Sequence, residues 1–256
     1  MKKLLKPFNK ATKNQDIVIY LFWISLIIVT WSLYSMKGAS LFPSLPSVGE
    51  GFMELIQQGL IPHIFSSLTL CFTSIVISIV ISSIISYLSP IPLLKPISVF
   101  ISQLRFLPLT GITFYIAMMI EGARTMQVWV LVVFMSTYLT TSLISMIKDI
   151  PEEEIDHART LKCTRWEVLW EVVIKGRMDY LFDVIRQNLA IVWMMLVSVE
   201  SILAATGGLG FLIKNSDKFM NHSKIIALQL VILFIGIFLN FTLNFLRRRL
   251  FTYSTF

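Results

Sequence analysis

Six long apolar runs, separated by short polar breaks, organise this chain. They cover residues 17–36, 63–88, 97–120, 126–147, 181–205 and 225–246. Each reaches the roughly 20 residues that a helix needs to cross about 30 Å of hydrocarbon. The pattern predicts an all-α polytopic membrane protein with six transmembrane helices. A transmembrane β-barrel is excluded, because its strands are short and alternate in polarity. No internal repeat is visible.

The breaks predict the connections. Residues 1–16 form a lysine-rich segment, 37–62 a linker, 63–249 a core of five further spans, and 250–256 a tail. Lys2, Lys3, Lys6, Lys10 and Lys13 before the first run, and Arg247-Arg248-Arg249 after the last, place both termini in the cytoplasm by the positive-inside rule. In the linker, Ser47-Val48-Gly49-Glu50 has the form of a capping box. Phe52, Leu55, Ile56 and Leu60 then recur at helical spacing, predicting a short amphipathic helix on the outer surface. Pro62 is expected to break the run before the second span. Pro90, Pro92 and Pro96 mark a tight turn. Arg105 and Pro108 predict a kinked or late-starting third span.

Composition adds little beyond the class. The 256 residues are 55 % hydrophobic and 14 % charged, against about 25 % charged in soluble domains, and the mean hydropathy is +0.75. The net charge of +7 lies at chain ends and span edges, where it sets topology and calls for no nucleic acid. The first run is too long for a signal-peptide core and reads as a retained anchor. Cys71 and Cys163 lie in unlike environments and predict neither a disulfide nor a metal site. His63 and His222 read as lone surface or docking residues.

One stretch does not fit a membrane. Residues 150–176 form a charged, helix-patterned island between the fourth and fifth spans, within a loop spanning 148–180. Residues 148–186 hold seven Lys/Arg and nine Asp/Glu, too acidic for a lipid- or nucleic-acid-binding patch. Pro151 followed by Glu152, Glu153 and Glu154 is a strong helix start, after which Ile155, Ala158 and Leu161 share one side. Thr164-Arg165-Trp166-Glu167 fits a second capping box, followed by Trp166, Leu169, Trp170 and Val173 on one face. Two short helices meeting at Lys162-Cys163 suit a partner's groove; a solvated connector is the plain alternative.

The island resembles the loop motif of permease subunits of ABC importers, in the branch that includes nitrate, sulfonate and taurine importers. Asp156, His157 and Ala158 stand at its Glu-Ala-Ala positions. Arg159-Thr160-Leu161 and Thr164-Arg165-Trp166 continue the match. Trp193 and Glu200 fall where that branch carries a tryptophan and a glutamate. Gly207–Ile213 (GGLGFLI), Phe42–Val48 (FPSLPSV) and His63 are also similar. Lys162 replaces the motif glycine, Lys175 and Asp179 the expected prolines, and Val184 a later glycine, which marks a divergent member.

The resemblance implies a type I ABC importer-like fold in a bacterial inner membrane, with the loop as coupling helix. It implies that Glu154, Asp156, His157, Ala158, Arg159, Thr160, Leu161, Lys162, Cys163, Arg165 and Trp166 meet an ATPase. The implied partners are a second permease subunit (a homodimer, or a homologous permease), two ATPase subunits that bind ATP-Mg, and a soluble or lipid-anchored substrate-binding protein. The chain itself is expected to bind no cofactor and to catalyse nothing, and it has no phosphate-binding glycine loop with Lys-Ser/Thr. The solute is a small molecule, with an organic or inorganic anion as the branch-level expectation and a vitamin precursor as competitor.

Candidate pathway residues are Trp193, Glu200, Arg105, Gly208 and Gly210. Glu200 is the one carboxylate deep in a span, and such groups are costly and by default functional. It either lines the path or pairs with a backbone group or Arg105. Trp193, seven residues earlier, shares its helix face. Arg105 attracts an anion or snorkels to the surface. Gly207, Gly208 and Gly210 allow a tight turn or re-entrant piece. Ser66, Ser67, Thr69 and Thr73 are expected to bond across helices. An ion-driven secondary carrier is the rival class, though such carriers usually hold more intramembrane charge.

Overall fold

A computed structural model describes residues 13–36, 43–204 and 206–251. The lysines at positions 2–10, residues 37–42 of the linker, Ala205 and the tail beyond residue 251 lie outside the described residues. Among the described residues the regular structure is helical: α1 (Lys13–Met36), α2 (Leu45–Gln57), α3 (Leu60–Tyr87), α4 (Lys95–Gln103), α5 (Leu109–Met119), α6 (Ala123–Lys148), α7 (Glu152–Thr160), α8 (Arg165–Val168), α9 (Met178–Ile202), α10 (Leu209–Lys218) and α11 (His222–Leu250). Among the described residues, five stretches are long and apolar enough to cross a membrane, and a sixth crossing exists if the bent α4–α5 pair is one span.

α6 is the axis of the bundle and the most buried of the long apolar helices. α3 packs along one side of it and α9 along another. The α3 face is a ladder of serines: Ser67, Ser74, Ser78, Ser82 and Ser86 are fully buried. Small residues let two backbones approach closely. Ser78 and Ser86 donate across the contact to the carbonyls of Val132 and Thr140, each at 3.4 Å. Leu70, Val130, Leu131, Leu196, Leu209 and Leu228 fill the main core, and Leu139, Leu143, Met146 and Val184 a smaller one near the α7–α8 loop. In lipid this packing stabilises by close contact rather than by transfer from water, since lipid tails are as apolar as leucine. By contrast, the most apolar stretch of α1 has no buried residue. Its Trp31 indole donates to the Pro43 carbonyl at 3.0 Å.

Three details differ from the sequence expectation, and a fourth follows it. The kink expected in the span at 97–120 is a sharp break: the stretch Lys95–Phe106 and α5 meet at 111°. Leu107 and Pro108 are both extended. Proline disfavours helical backbone before it and cannot donate to the preceding turn, so the chain turns there. α2 starts earlier than the Ser47 box, because the Ser44 side chain caps it, accepting from the Ser47 amide at 3.4 Å, and Pro46 fits its first turn. Its buried residues are Val48, Gly51 and Leu55. Phe52 and Ile56 stay exposed. Pro62 does not interrupt α3, which begins at Leu60; in a first turn its missing N–H would have had no helical partner. The loop after α9 contains a helix of its own, α10.

Candidate functional site

The α7–α8 loop is built from three local devices. Pro151 is extended and precedes three glutamates in the first turn of α7, where carboxylates offset the exposed amides and the dipole. The end of α7 is a Schellman turn: the Cys163 amide donates to Ala158 O (3.3 Å) and the Lys162 amide to Arg159 O (2.9 Å). That turn needs a left-handed residue, and Lys162 supplies it with φ 62°. Thr164 then caps α8 reciprocally. Its amide donates to Glu167 Oε2 at 2.6 Å, and its hydroxyl accepts from the Glu167 amide at 3.4 Å. These bonds hold the Glu167 carboxyl below the usual carboxylate range.

The loop divides its residues into inward and outward sets. Ala158 faces inward and is 8 % exposed. Glu154 is bound within the chain, accepting from Arg177 Nη2 at 2.8 Å on both oxygens. Asp156 and Arg159 pair on the surface at 2.8 Å, and Thr160 donates to His157 O at 2.6 Å. His157, Lys162 and Arg165 are exposed and Cys163 is half-buried. Leu161, Trp166 and Trp170 are 68 %, 66 % and 55 % exposed. Two tryptophans one helical turn apart, both turned to solvent beside acidic residues, are an unusual use of large apolar area.

At the opposite end, Glu200 lies at the centre of a polar knot. It is 0 % exposed. The Ser67 hydroxyl donates to it (2.7 Å to Oε1), and the Gly210 amide donates to Oε2 at 2.9 Å. The Leu209 amide donates to Ser67 Oγ at 2.9 Å and the Gly208 amide to His63 Nδ1 at 3.0 Å. The carboxylate thus caps α10, at a helix end that favours negative charge. Arg124 donates to Ser66 O (2.6 Å), Gln127 to Leu203 O (2.8 Å), and Thr206 to Gln127 Oε1 (2.7 Å). The knot joins α3, α6, α9 and α10. Gly208 (φ 111°) and Gly210 are required here: a Cβ on the first would fall on the Glu200 carboxylate, and on the second on the Val197 carbonyl.

The five pathway candidates therefore do not form one lining. Glu200, Gly208 and Gly210 are together in the knot. Trp193 is buried between α9 and α11, donating from Nε1 to Ile232 O at 3.0 Å, with Gly236 making room for its ring. Arg105 is half-buried on the 3-10 turn after α4, over the Phe106 ring at 5.0 Å. That turn adjoins Ser102, which meets Thr141 of α6, whereas the knot meets α6 at Gln127. The two positions lie about 20 Å apart along the helix, so Arg105 does not pair with Glu200. Of the four hydroxyls, Ser67 bonds across helices, while Thr69 and Thr73 donate within α3.

An open groove runs beside Trp193, which lines it. Gln187, Met194 and Ser198 of α9 there face Gln229, Gly236 and Asn240 of α11 across about 700 Å³. The α9 set recurs at seven and four residues, the α11 set at seven and four, so each is one helix stripe. The lipid-type surface of α11 is another stripe, with Phe234, Phe238, Phe241 and Phe245 exposed. Amides such as Gln187 and Asn240 were not singled out in the sequence. The available signal was their helical spacing, Gln187 beside Arg186 near the start of its run and Asn240 within an uncharged one.

A bundle of apolar helices around α6, carrying a two-helix polar loop between the long helices α6 and α9, defines a polytopic membrane protein of the transport type. Residues 78–252 match the family of binding-protein-dependent transport system inner membrane components, and the chain belongs to that family. It is 29 % identical over 150 residues to the taurine transport system permease protein of Escherichia coli strain K12, covering 59 % of this chain and 52 % of that one. It thus spans about half the length of that relative. It is 22 % identical over 256 aligned positions to the bicarbonate transport system permease protein of Synechococcus elongatus, covering 92 % of this chain and 90 % of the other. A crystal structure of an amino acid ABC transporter shares the fold, with a TM-score of 0.59 at 18 % identity, over 78 % of this chain and 96 % of that one.

Proposed function

We propose that this chain is the membrane-embedded permease subunit of an ATP-driven, binding-protein-dependent importer. ATP is hydrolysed by separate cytoplasmic ATPase subunits, which seat the α7–α8 loop. A binding protein delivers solute at the α10 end, and two permease subunits, normally copies of this chain, enclose the path. Both termini are cytoplasmic. The observation that carries this reading is the loop: two capped helices outside the bilayer, presenting Leu161, Trp166 and Trp170 to solvent. Aromatic anchors of this kind supply most of the binding energy at protein interfaces.

The solute path follows from polarity at membrane depth. Side-chain amides are disfavoured against lipid, so the α9–α11 groove is assigned to one wall of the path. Its lining sets three amides, the Ser198 hydroxyl and Arg186 among apolar side chains, which suits a small polar solute. The relatives named above are those of taurine and bicarbonate systems, which supports a small anion as cargo. Glu200 is engaged by Ser67 and the Gly210 amide in the knot, which supports a structural role for it over a place in the groove.

The test is co-purification. Tagged chain extracted in mild detergent should retain an ATPase subunit, and Trp166→Ala with Trp170→Ala should weaken that retention by about 30-fold or more, as for two anchor residues. Retention unchanged in the double variant would reject the loop as the docking site. Ala158 is a poorer probe, since it packs inside the loop and its replacement disturbs the loop itself.

A further inference from the structure

The path from the loop into α9 is not a straight helix. After α8 the backbone passes through a π-helical turn (Leu169–Ile174) and a 3-10 turn (Lys175–Arg177) before α9 begins at Met178. Such departures from the α-helical ladder are places where a helix yields. A displacement applied at Trp166 and Trp170 has to pass through these two turns to reach α9.

The ion pair between Glu154 and Arg177 spans this joint. Glu154 is in the first turn of α7, and Arg177 is the residue immediately before α9. One Arg177 nitrogen lies 2.8 Å from both Glu154 oxygens. The Arg177 side chain is only 15 % exposed, and its guanidinium sits 5.1 Å from the centre of the Tyr180 ring. Shielding and stacking make this pair less screened than the surface pairs Asp156–Arg159 and Glu171–Lys175. Further along, Asp183 of α9 is held by Arg247 of α11 at 2.7 Å.

We infer that Glu154–Arg177 is a brace that bypasses the π and 3-10 joint and makes α7 and the foot of α9 move as one body. This rests on the proposal that the loop receives the ATPase movement. It assigns Glu154 and Arg177 as positioning residues for coupling, and removes Glu154 from the surface that touches the ATPase. The force then travels from α7 through the ion pair into α9, whose other side forms the groove.

The test uses the full chain in nanodiscs, in a Cys163→Ser background, with spin labels at the exposed positions Thr160→Cys on α7 and Gln187→Cys on α9. The brace predicts a narrow distance distribution, broadened by Arg177→Gln and by Glu154→Gln and narrowed again in the charge-swapped Glu154→Arg/Arg177→Glu chain. In the complex with its ATPase, ATP and vanadate should shift the distance between Gln187→Cys and a label at Ser83→Cys of α3, and the single variants should lose that shift while still retaining the ATPase. Single variants with the unaltered width, or a swap no better than the singles, would overturn the brace. Absence of any ATPase on the unaltered chain would overturn the docking proposal instead, and leaves the width measurement in force.

Discussion

Lys162 occupies a left-handed backbone conformation that glycine adopts most easily, which makes Lys162→Gly a quantitative test of the loop geometry. At φ 62° a residue with a Cβ meets its following carbonyl, at a cost of about 1–2 kcal/mol. Glycine removes that cost but adds about 0.4–1 kcal/mol of unfolded-chain entropy. The net expectation is a loop stabilised by about 1 kcal/mol. The Lys162 and Cys163 amides close the Schellman turn onto Arg159 and Ala158, so their hydrogen exchange reads the local opening directly. In Lys162→Gly both amides should exchange about fivefold more slowly, and in Lys162→Val, whose β-branch resists φ above zero, faster. Equal or faster exchange in the glycine variant would refute a left-handed residue at this turn.

Other expectations concern the two ends of the bundle. Glu200→Ala orphans the Gly210 amide and the Ser67 hydroxyl in a buried setting; it should destabilise the chain by about 3 kcal/mol, read as loss of thermal stability in detergent, with Glu200→Gln milder. Gly210→Ala puts a methyl onto the Val197 carbonyl and should reduce folded yield more than Gly49→Ala, where nothing lies within 4 Å. The Glu167 cap has a depressed native pKa, so its stabilisation is complete above the ordinary carboxylate pKa and is lost as pH falls through the depressed value. Exchange at the Thr164 amide should therefore accelerate as pH drops below about 4, beyond the intrinsic pH effect, and Glu167→Gln should flatten that change.

The long helices were legible because hydropathy length alone identifies a span, and bilayer thickness sets that length. The island was legible for the complementary reason: Pro151, the glutamates and the Thr164–Glu167 box are local signals with local partners. What escaped depended on distant partners. Glu200 was recognisable as a costly charge, but its role depends on Ser67, 133 residues away. α10 carries Lys214, Asn215, Asp217 and Lys218 and reads as loop until Glu200 is known to cap it. Pro108 announced a disturbance but not its 111° size, which depends on what both halves pack against. The groove amides were invisible because uncharged polar residues scattered in an apolar run look like packing residues until two helices are seen to align them.

The central claim is that the α7–α8 loop, through Leu161, Trp166 and Trp170, is the seat of an ATPase. Its most direct measurement is site-specific photo-crosslinking from Trp166, with a photoreactive amino acid at that position in membranes of cells making the whole transporter. The account predicts a crosslinked product whose second component is a nucleotide-binding ATPase subunit, competed away by purified ATPase. Crosslinks to lipid alone, or to no ATPase while one co-purifies with the chain, would contradict it.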